Sequence, residues 1–530
     1  MKILVAEPLA DAGLELLRAQ KGWDIVVSNP EEFQKHLADA DALIVRTEVK
    51  VDRGVLAKAT RLKVVGRAGI GIENVDVDAA TAAGVLVMNT PGGNAVSVAE
   101  HTMGLMLSMA RSIPQAIAST KSGKWEEKKF LGTELRGKTL GVVGLGSIGR
   151  EVVRRARGFE MRIVASDPYV NSRAAADLST TLLSLDELYA ESDYITLHVA
   201  LTTETYGMLN DAAFARMKKG VRIVNCARGE LIDGEALRKA IESGKVAGAA
   251  LDVFQTEPPV SEPLLAFENV LATPHIGGST HEAQDAVGYR IAEQVVEYLR
   301  DGVALNAVNV PAMTAEQYRT VGPYAALAER LGTFAAYVAT GNPRLVRLVY
   351  KGRIAEQNTL MIRNAGLAGV LSRSLARKAN VINAIQFAAD RGVGFAERHE
   401  ISDVAGQADS VRLELETDSG VTTVEGSVVL DRPRLLRVDG IYCEAPLTGH
   451  LMFLKNADVP GVIGYVGSVT GKHNINIASF SLGRQEQASN NGPLQAVAVV
   501  ETDGPVPESV LKQLLENKAV TVARAVEFRA

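Results

Sequence analysis

Short apolar runs alternate with stretches of helical length along the first 95 residues of the chain. Each run has the length of a buried strand, and the stretches between them, such as Ala10–Ala19 and Asp52–Thr60, are long enough for helices. The predicted strands are Lys2–Ala6, Asp24–Ser28, Ala42–Arg46, Lys63–Arg67 and Val85–Asn89. This repeated βα order predicts a doubly wound parallel sheet, with its ligand at the carboxyl ends of the strands.

The next repeat contains a glycine turn, Gly144–Gly149, which reads GLGSIG and follows an apolar run at Thr139–Val143. Gly144 permits a tight turn, Gly146 lets the backbone approach a pyrophosphate, and Gly149 lets helix and strand pack closely. A helical pattern follows the turn. The context is therefore that of a dinucleotide-binding turn, with an ordinary βα turn that needs glycines for packing as the alternative.

A carboxylate follows the second strand of this repeat. The predicted strand Met161–Ser166 ends at Asp167, near the spacing at which a ribose-binding acid is expected after the glycines. Such a carboxylate accepts hydrogen bonds from ribose hydroxyls and repels a 2′-phosphate. The sequence therefore predicts NAD rather than NADP as the cofactor.

Polar side chains collect after the later strands of the same region. They are Arg228, Asp252, Glu257 and His275. The strands predicted before them are Tyr194–Val199, Val221–Cys226, Val246–Val253 and Val270–Ala272. Because the carboxyl ends of parallel strands lie along one edge, these residues should converge on the cofactor crevice.

Three of these residues suit the oxidation of an alcohol beside a nicotinamide. His275 would take the hydroxyl proton as general base, Glu257 would orient the ring and stabilise the imidazolium, and Arg228 would hold a substrate carboxylate. Each has a plainer interpretation: His275 as the cap of a strand end, Glu257 as a loop charge, and Arg228 as the ion-pair partner of Glu230.

The first domain carries cations at two predicted strand ends. Arg46 and Arg67 each follow or end an apolar run, and Arg67 lies beside the glycine-rich turn GRAGIG. Cations in this position can hold a carboxylate or a phosphate, although each alone would more often be a solvated surface charge. The loop Asn89–Asn94 then leads into a long apolar helix, Val96–Met109, which should bridge into the next domain.

These motifs, in this order and spacing, resemble the D-isomer-specific 2-hydroxyacid dehydrogenase family. The resemblance rests on GLGSIG, Asp167, NCARGELID, TEPP and TPHIGGST. It implies Arg228, Glu257 and His275 as the catalytic residues. The cofactor contacts that it implies are Gly144, Gly146, Ser147, Ile148, Gly149, Asp167, Cys226, Ala227, Asp252, Gly277 and Gly278.

The family topology also implies a discontinuous first domain. Residues 1–96 and 280–305 would form the substrate-binding domain, and residues 97–279 the inserted NAD-binding Rossmann domain, so that the crevice between them closes on substrate. The helix His281–Arg300 would return the chain to the first domain.

The segments VRTEVK, VGRAGIGIENVD and NTPGGNAVSVAEH resemble the members of this family that act on 3-phosphoglycerate. The implied reaction is the oxidation of 3-phospho-D-glycerate to 3-phosphohydroxypyruvate, which opens serine synthesis. Arg46, Arg67 and Asn94 would contact the substrate. The segment WEEKKF resembles a loop that crosses a dimer interface, where Lys128 and Lys129 could reach the partner's substrate despite the preceding glutamates.

Residues 306–447 change to an α+β pattern. Helices are expected at Glu316–Thr340 and Thr359–Asp390, and alternating strands at Leu345–Tyr350, Ser410–Glu416 and Thr422–Val429. The region resembles the intervening domain of the long members of the family, which mediates assembly. Its basic group Arg432, Arg434 and Arg437 could bind an anion, although a solvated surface is the commoner interpretation.

Residues 448–530 read strand, helix, strand, strand, helix, strand, the order of a ferredoxin-like unit. They resemble an ACT domain, which binds amino acids between paired copies, and a plain dimerisation module is the alternative. The implied effector is L-serine, with Asp458 and Asn476 as its contacts. Asn456 stands where some long relatives have a tyrosine. The resemblance further implies a homo-oligomer, expected to be a tetramer.

Composition excludes several classes of protein. The 530 residues are 47% hydrophobic and 22% charged with a net charge of −5, which gives no electrostatic reason to expect nucleic-acid or membrane binding. Cys226 and Cys443 lie in no metal-binding or CxxC spacing, so we expect a reducing cytoplasm and no metal site. His101 and His198 lie in apolar elements, where packing roles are expected.

Two other functions remain open from the residues. The chain could oxidise an unphosphorylated acid such as glycerate, or reduce hydroxypyruvate, although the C-terminal domains argue against this. It could also be a non-catalytic NAD-sensing regulator, because some proteins of this fold are corepressors.

Overall fold

The computed structural model describes residues 1–311, 313–372, 379–401, 409–486 and 494–528, and it contains four β-sheets. The first sheet is parallel and has the strand order β2-β1-β3-β4-β5. Its strands are β1 (Lys2–Val5), β2 (Asp24–Val27), β3 (Ala42–Val45), β4 (Val64–Arg67) and β5 (Leu86–Met88). The helices between them are α1 (Asp11–Arg18), α2 (Arg53–Lys58) and α3 (Val77–Ala82). All five predicted strands are present.

The second sheet is also parallel and carries the glycine turn. Its helices are α4 (Ala95–Ala110), α5 (Ile113–Lys121), α6 (Ser147–Gly158), α7 (Ser172–Ala176), α8 (Leu185–Glu191), α9 (Asp211–Arg216) and α10 (Gly234–Glu242). Its strands are β6 (Thr139–Val143), β7 (Arg162–Ser166), β8 (Thr181–Leu182), β9 (Tyr194–Leu197), β10 (Val221–Asn225), β11 (Val246–Leu251) and β12 (Val270–Ala272). The order is β12-β11-β10-β9-β6-β7-β8, so the winding reverses between β6 and β9. A ligand crevice is expected at this reversal, where the glycine turn lies.

Helix α11 (His281–Asp301) returns the chain from the second sheet to the first. Its apolar side packs into the core that contains Ile3, Ile44 and Leu86. It also lies close against α1, because a Cβ at Gly13 would come within 2.6 Å of the Gly288 carbonyl oxygen. Chain segments that precede and follow the second sheet in the sequence therefore share one core.

The third sheet mixes directions. Its strands are β13 (Pro343–Lys351), β14 (Gly394–Glu400), β15 (Ser410–Thr417), β16 (Gly420–Val429), β17 (Arg432–Val438) and β18 (Ile441–Pro446). The order is β14-β13-β15-β16-β17-β18, and only the β13–β14 pair among these described strands is parallel. Helices α12 (Ala315–Val338), α13 (Leu360–Leu371) and α14 (Ala384–Asp390) accompany it.

The prediction of a single helix over Thr359–Asp390 is wrong. The structure has two helices, α13 and α14, and residues 373–378 of the predicted span lie outside the described residues. The side-chain oxygen of Asn380 accepts from the N–H of Ile382, and that of Asn383 accepts from the N–H of Asn380. Asparagine side chains compete with helical hydrogen bonds in this way, which favours a turn before α14.

The fourth sheet has the predicted order of elements: β19 (Gly449–Ala457), α15 (Val462–Lys472), β20 (Ile477–Arg484), β21 (Gln495–Thr502), α16 (Glu508–Leu514) and β22 (Val520–Phe528). The sheet is antiparallel with order β20-β21-β19-β22. One face packs on α15 and α16. The other joins the core of the third sheet, where Phe453 meets Phe334 of α12 edge to face with ring centroids 5.6 Å apart.

Among the described residues, no helix is both long enough and apolar enough to cross a membrane.

Candidate active site

The glycine turn forms a cradle whose shape fits a dinucleotide. Gly144 has φ 96°, a conformation that favours glycine, and a Cβ at Gly149 would overlap the carbonyl oxygen of Gly144. At Gly146, which precedes helix α6, a Cβ would meet no atom within 4 Å of the described structure. Ser147 and Ile148 open the helix, so its first N–H groups face this space and can receive a phosphate.

Asp167 follows β7 at the edge of this cradle. Its Oδ2 accepts from the N–H of Leu145 and its Oδ1 from the N–H of Tyr169, each at 2.8 Å. These two bonds fix the carboxylate beside the glycine turn and leave lone pairs on both oxygens. The geometry therefore suits acceptance of hydrogen bonds from ribose hydroxyls.

His275 and Glu257 are in direct contact. His275 Nδ1 lies 2.8 Å from Glu257 Oε2, while Glu257 Oε1 accepts from the N–H of Phe254 at 3.1 Å. The imidazole is half exposed, with 52% of the side chain accessible. A carboxylate that holds Nδ1 in this way orients the ring and leaves Nε2 for chemistry, which is the geometry of a general base.

The turn that carries His275 is strained and is held by Asp252. His275 has φ 54°, which is unusual for a residue with a side chain. Asp252 Oδ1 accepts from Thr273 Oγ1 at 2.5 Å and from the N–H of Ile276 at 2.9 Å, and Oδ2 accepts from the N–H of Gly277 at 2.8 Å. The Asp252 carboxylate is buried, and it accepts hydrogen bonds from residues that precede and follow His275.

His101 completes the environment of Asp252. Its Nε2 lies 3.2 Å from Asp252 Oδ1 and 3.1 Å from Thr273 Oγ1. Burial opposes ionisation of Asp252, but hydrogen bonds from His101, Thr273 and two backbone N–H groups hold the pKa of this carboxyl below its ordinary value. The sequence predicts a packing role for His101 in an apolar helix, and in the structure its ring also contacts the polar atoms of Asp252 and Thr273.

Arg228 reaches across to the first sheet. Its Nε lies 2.6 Å from Glu73 Oε1, and its Nη1 donates to the Ala227 carbonyl at 2.7 Å. The alternative pairing with Glu230 is not the one in the structure. The adjacent Gly229 packs against the backbone of Phe254, so the end of β10 lies beside the loop that leads to Glu257.

The other predicted substrate residues lie near the carboxyl ends of the strands of the first sheet. Arg67 ends β4 and is half-buried, and its buried Nε atom has no partner within the described part of the chain. Asn94 precedes α4, with a buried Oδ1 that is likewise unpaired among the described residues and an Nδ2 beside Gly278. Unpaired buried polar atoms in a crevice are costly unless a ligand satisfies them.

Arg46 is positioned by a residue that the sequence reasoning missed. Glu7 is buried after β1, and its carboxylate accepts from the N–H groups of Arg46, Thr47, Glu48 and Val49 at 2.8 to 3.1 Å. This acid shapes the loop that presents Arg46 at the strand ends. An acidic residue directly after an apolar strand was the available signal.

Cys226 follows β10 and His198 follows β9, at the carboxyl ends of two neighbouring strands. Cys226 is buried in the core of the second sheet, and burial raises the pKa of its thiol to about 12. The Cys226 side chain therefore packs as part of this core, and its protonated thiol is unsuited to act as a nucleophile. His198 follows β9 instead of lying within a strand as predicted, and burial lowers the pKa of its ring to about 3.

The two predicted effector contacts lie far apart within one chain. Asp458 lines a cleft of about 410 Å³ with Asn456 and Arg484, and Arg484 Nε lies 3.4 Å from Asp458 Oδ1. Asn476 instead donates to Asp503 at the other end of the fourth sheet, 2.8 Å away. Register places Ile477 level with His450 at the start of β19, so Asn476 and Asp458 are roughly 25 Å apart.

The remaining basic candidates are on the surface. Lys128 and Lys129 lie in the exposed 3₁₀ turn Glu127–Phe130. Arg432, Arg434 and Arg437 lie on β17, where Arg434 pairs with Glu444 at 3.2 Å. Neither set joins the crevice within this chain.

Family models match two parts of the chain. One described as "D-isomer specific 2-hydroxyacid dehydrogenase, NAD binding domain" matches residues 103–277. Another described as "D-3-phosphoglycerate dehydrogenase intervening domain" matches residues 320–439.

Curated relatives match over the full length. The D-3-phosphoglycerate dehydrogenase of Methanocaldococcus jannaschii is 42% identical over 97% of this chain and 98% of its own. The enzyme of Archaeoglobus fulgidus is 39% identical over 100% of this chain and 100% of its own. That of Bacillus subtilis is 38% identical over 99% of this chain and 99% of its own.

Solved structures match a smaller share of the chain. The TT0316 protein of Thermus thermophilus is 35% identical with a TM-score of 0.53, and it covers 58% of this chain and 100% of its own. The apo D-lactate dehydrogenase of Escherichia coli is 32% identical with a TM-score of 0.52, over the same shares.

Proposed function

The chain belongs to the D-3-phosphoglycerate dehydrogenases within the D-isomer-specific 2-hydroxyacid dehydrogenase family, and we propose that it oxidises 3-phospho-D-glycerate to 3-phosphohydroxypyruvate. The cofactor is NAD, which accepts a hydride from the substrate carbon when bound. This reaction is the first step of serine biosynthesis. The His275–Glu257 pair, placed beside a dinucleotide cradle and opposite a group of arginines, is the observation that supports the proposal most strongly.

Proton removal falls to His275. Its Nε2 takes the proton of the substrate hydroxyl, and the Glu257 carboxylate at Nδ1 stabilises the imidazolium that forms. Asp252 keeps the turn in the conformation that presents the ring. Because Asp252 is buried and already ionised, it maintains this geometry without taking part in the proton transfer.

Substrate binding falls to Arg228 from one domain and to Arg46, Arg67 and Asn94 from the other. The substrate carries a carboxylate and a phosphate, and guanidinium groups bind both with paired hydrogen bonds. The buried Nε of Arg67 and Oδ1 of Asn94 have no hydrogen-bond partner in the described structure, which supports a role in which a bound ligand satisfies them. We assign residues 1–96 with 280–305 to substrate binding and residues 97–279 to NAD binding, so that closure of the crevice excludes water.

Turnover with three acids separates this function from its competitors. NADH formation should be fastest with 3-phospho-D-glycerate and much slower with D-glycerate or D-lactate, because the arginines of the first domain lack a phosphate partner in the smaller acids. Preference for an unphosphorylated acid would identify a different dehydrogenase. No turnover with any of the three would support a non-catalytic regulator.

We also propose that L-serine inhibits the enzyme by binding between the fourth sheets of two copies, which would be paired ACT domains. The cleft at Asp458 is large enough for an amino acid. Asn476 lies at the opposite end of the same sheet, so a site that uses both residues draws them from different copies. Asn456, buried in the cleft, replaces the tyrosine of some relatives and would weaken serine binding.

Assembly into a homotetramer accompanies this proposal. The exposed turn with Lys128 and Lys129 would face the partner's substrate site, and the third sheet, residues 306–447, would mediate assembly and could bind an anion at Arg432, Arg434 and Arg437. Both cysteines are free thiols, which supports a reducing cytoplasm as the site of action.

A further inference from the structure

The Glu73 carboxylate pairs with the guanidinium of Arg228, the group that the proposed function assigns to the substrate carboxylate. Glu73 lies on the turn after β4, in the first domain, and Arg228 lies after β10 in the second, 155 residues away. Their contact, 2.6 Å from Arg228 Nε to Glu73 Oε1, crosses the crevice between the domains. A carboxylate of the protein therefore takes the position at which a substrate carboxylate would bind.

The glycines of the preceding turn make room for this contact. A Cβ at Gly71 would lie 2.6 Å from Arg228 Nη2 and would overlap the carboxylate of Glu73. A Cβ at Gly69 would overlap the Arg67 guanidinium. Both arginines and Glu73 thus pack on one bare stretch of backbone, which explains the glycine spacing in GRAGIG.

Arg46, Arg67 and Arg228 lie near one another here, with Glu73 and Glu7 as the nearby acids. Partial burial opposes the ionisation of Glu73, but the nearby Arg228 charge holds the pKa of its carboxyl below the ordinary value. Burial lowers the pKa of the Arg67 guanidinium, with the charge of Glu73 acting in the opposite direction. The other nearby acid, Glu7, is already engaged by four backbone N–H groups, so Glu73 is the carboxylate that neutralises Arg228.

The contact is also easy to break. The side chain of Glu73 is 62% exposed, and that of Arg228 is 29% exposed. An ion pair with one such accessible partner contributes little to stability and exchanges readily. The carboxylate can swing into solvent while the guanidinium, held at Nη1 by the Ala227 carbonyl, stays in place.

We propose that Glu73 is an internal competitor for the substrate-carboxylate site: it pairs with Arg228 in the unliganded enzyme and is displaced when an anionic substrate binds. This inference rests on the proposed function of Arg228. Glu73 neutralises Arg228 in the absence of substrate, so an anion that binds weakly does not displace it. A substrate with a carboxylate and a phosphate displaces Glu73 because Arg46 and Arg67 add to the attraction.

The test compares Glu73→Gln with the wild-type enzyme. The amide keeps the size of the side chain and removes its charge, so KM for 3-phospho-D-glycerate should fall about threefold, with little change in kcat, as expected for an ion pair of this exposure. Glu73→Asp, which keeps the charge, should restore a KM near that of the wild type. A KM that is unchanged or raised in Glu73→Gln would overturn the proposal, because Glu73 would then be neutral or would orient Arg228 for the substrate.

A control and a second readout make the result specific. Glu32→Gln removes a surface carboxylate of the same domain, one paired with Lys35 at 2.6 Å, and should leave KM unchanged. Calorimetric titration of the NAD-loaded full-length enzyme with sulfate should give a similar gain in affinity for Glu73→Gln. This titration needs no turnover, so it tests Glu73 even if the chain fails to oxidise 3-phospho-D-glycerate. Equal sulfate affinity in both proteins would contradict the proposal.

Discussion

At the scale of single residues, the site depends on side chains that position others. Asp252 is the strongest example, since it binds Thr273, Ile276 and Gly277 around the strained His275. In Asp252→Asn one of the bonded oxygens becomes an NH₂ group that faces donors. We expect a loss of roughly 1–3 kcal/mol in the free energy of unfolding together with a lower kcat. Urea unfolding and steady-state kinetics measure both.

The pH dependence of this loss follows from the direction of the pKa shift. A carboxyl whose pKa is lower in the folded protein contributes stability above its ordinary pKa of 3.8, and that contribution is lost as pH falls through the folded value. The deficit of Asp252→Asn should therefore be constant between about pH 6 and pH 8. The control Asp211→Asn, on the surface near Lys239, should change stability by less than about 0.5 kcal/mol. An equal effect of the two substitutions would argue against the positioning role.

Sequence reasoning predicted a site from the residues that carry a motif and did not identify the residues that support them. Arg228, Glu257 and His275 each follow a strand, and topology alone predicts that they converge. Glu73 has no such signal. Its partner is 155 residues away on another domain, and only the relative position of the two sheets brings them together. Glu7 directly follows an apolar strand, which was the available signal for it, but its bonds to the N–H groups of the loop at Arg46 depend on the fold.

At the scale of elements, the packing of α12 on α13 uses glycine for close approach. A Cβ at Gly369 would overlap the Glu329 carbonyl oxygen and lie 2.9 Å from the Thr333 nitrogen. In Gly369→Ala the helices must separate, and we expect a loss of about 1–3 kcal/mol. Urea unfolding measures this, with Gly158→Ala as the control, because a Cβ there meets no described atom within 4 Å. Similar unfolding midpoints for both variants would contradict the close packing.

Elements with strong periodicity or buried runs were predictable, and boundaries set by side-chain hydrogen bonds were not. The five strands of the first sheet and the βαββαβ order of the fourth are apolar runs bounded by turns. The break between α13 and α14 depends on Asn380 and Asn383, whose bonds to neighbouring N–H groups replace helical ones. The two-residue strand β8 lies at a sheet edge and is too short to give a pattern.

At the scale of the whole molecule, the fourth sheet is not a detachable unit. Leu451, Phe453 and Val499 on its inner face share a core with α12, so removal of residues 448–530 would expose their partners there, such as Leu331 and Phe334. Serine regulation is therefore better tested by point substitution. Asp458→Ala and Asn476→Ala should each abolish inhibition by L-serine, while turnover without serine stays unchanged.

Mixing these two variants tests whether the effector site spans two copies. A hetero-oligomer of Asp458→Ala and Asn476→Ala chains contains some sites with both native residues, so serine inhibition should return in part after co-expression. Co-expression of each variant with itself is the matched control and should remain insensitive. Mixed oligomers that stay fully insensitive would place the two residues in separate roles.

The central proposal is that His275 is the general base of a phosphoglycerate dehydrogenase. In His275→Ala, kcat for oxidation of 3-phospho-D-glycerate should fall about 10²- to 10⁴-fold, because the substitution removes the imidazole that Glu257 holds for proton transfer. The affinity for NAD should be nearly unchanged, since the cradle around Gly144–Gly149 and Asp167 is intact. His36→Ala, on the first domain, is the control. A His275→Ala enzyme that turns over at the wild-type rate would contradict the account.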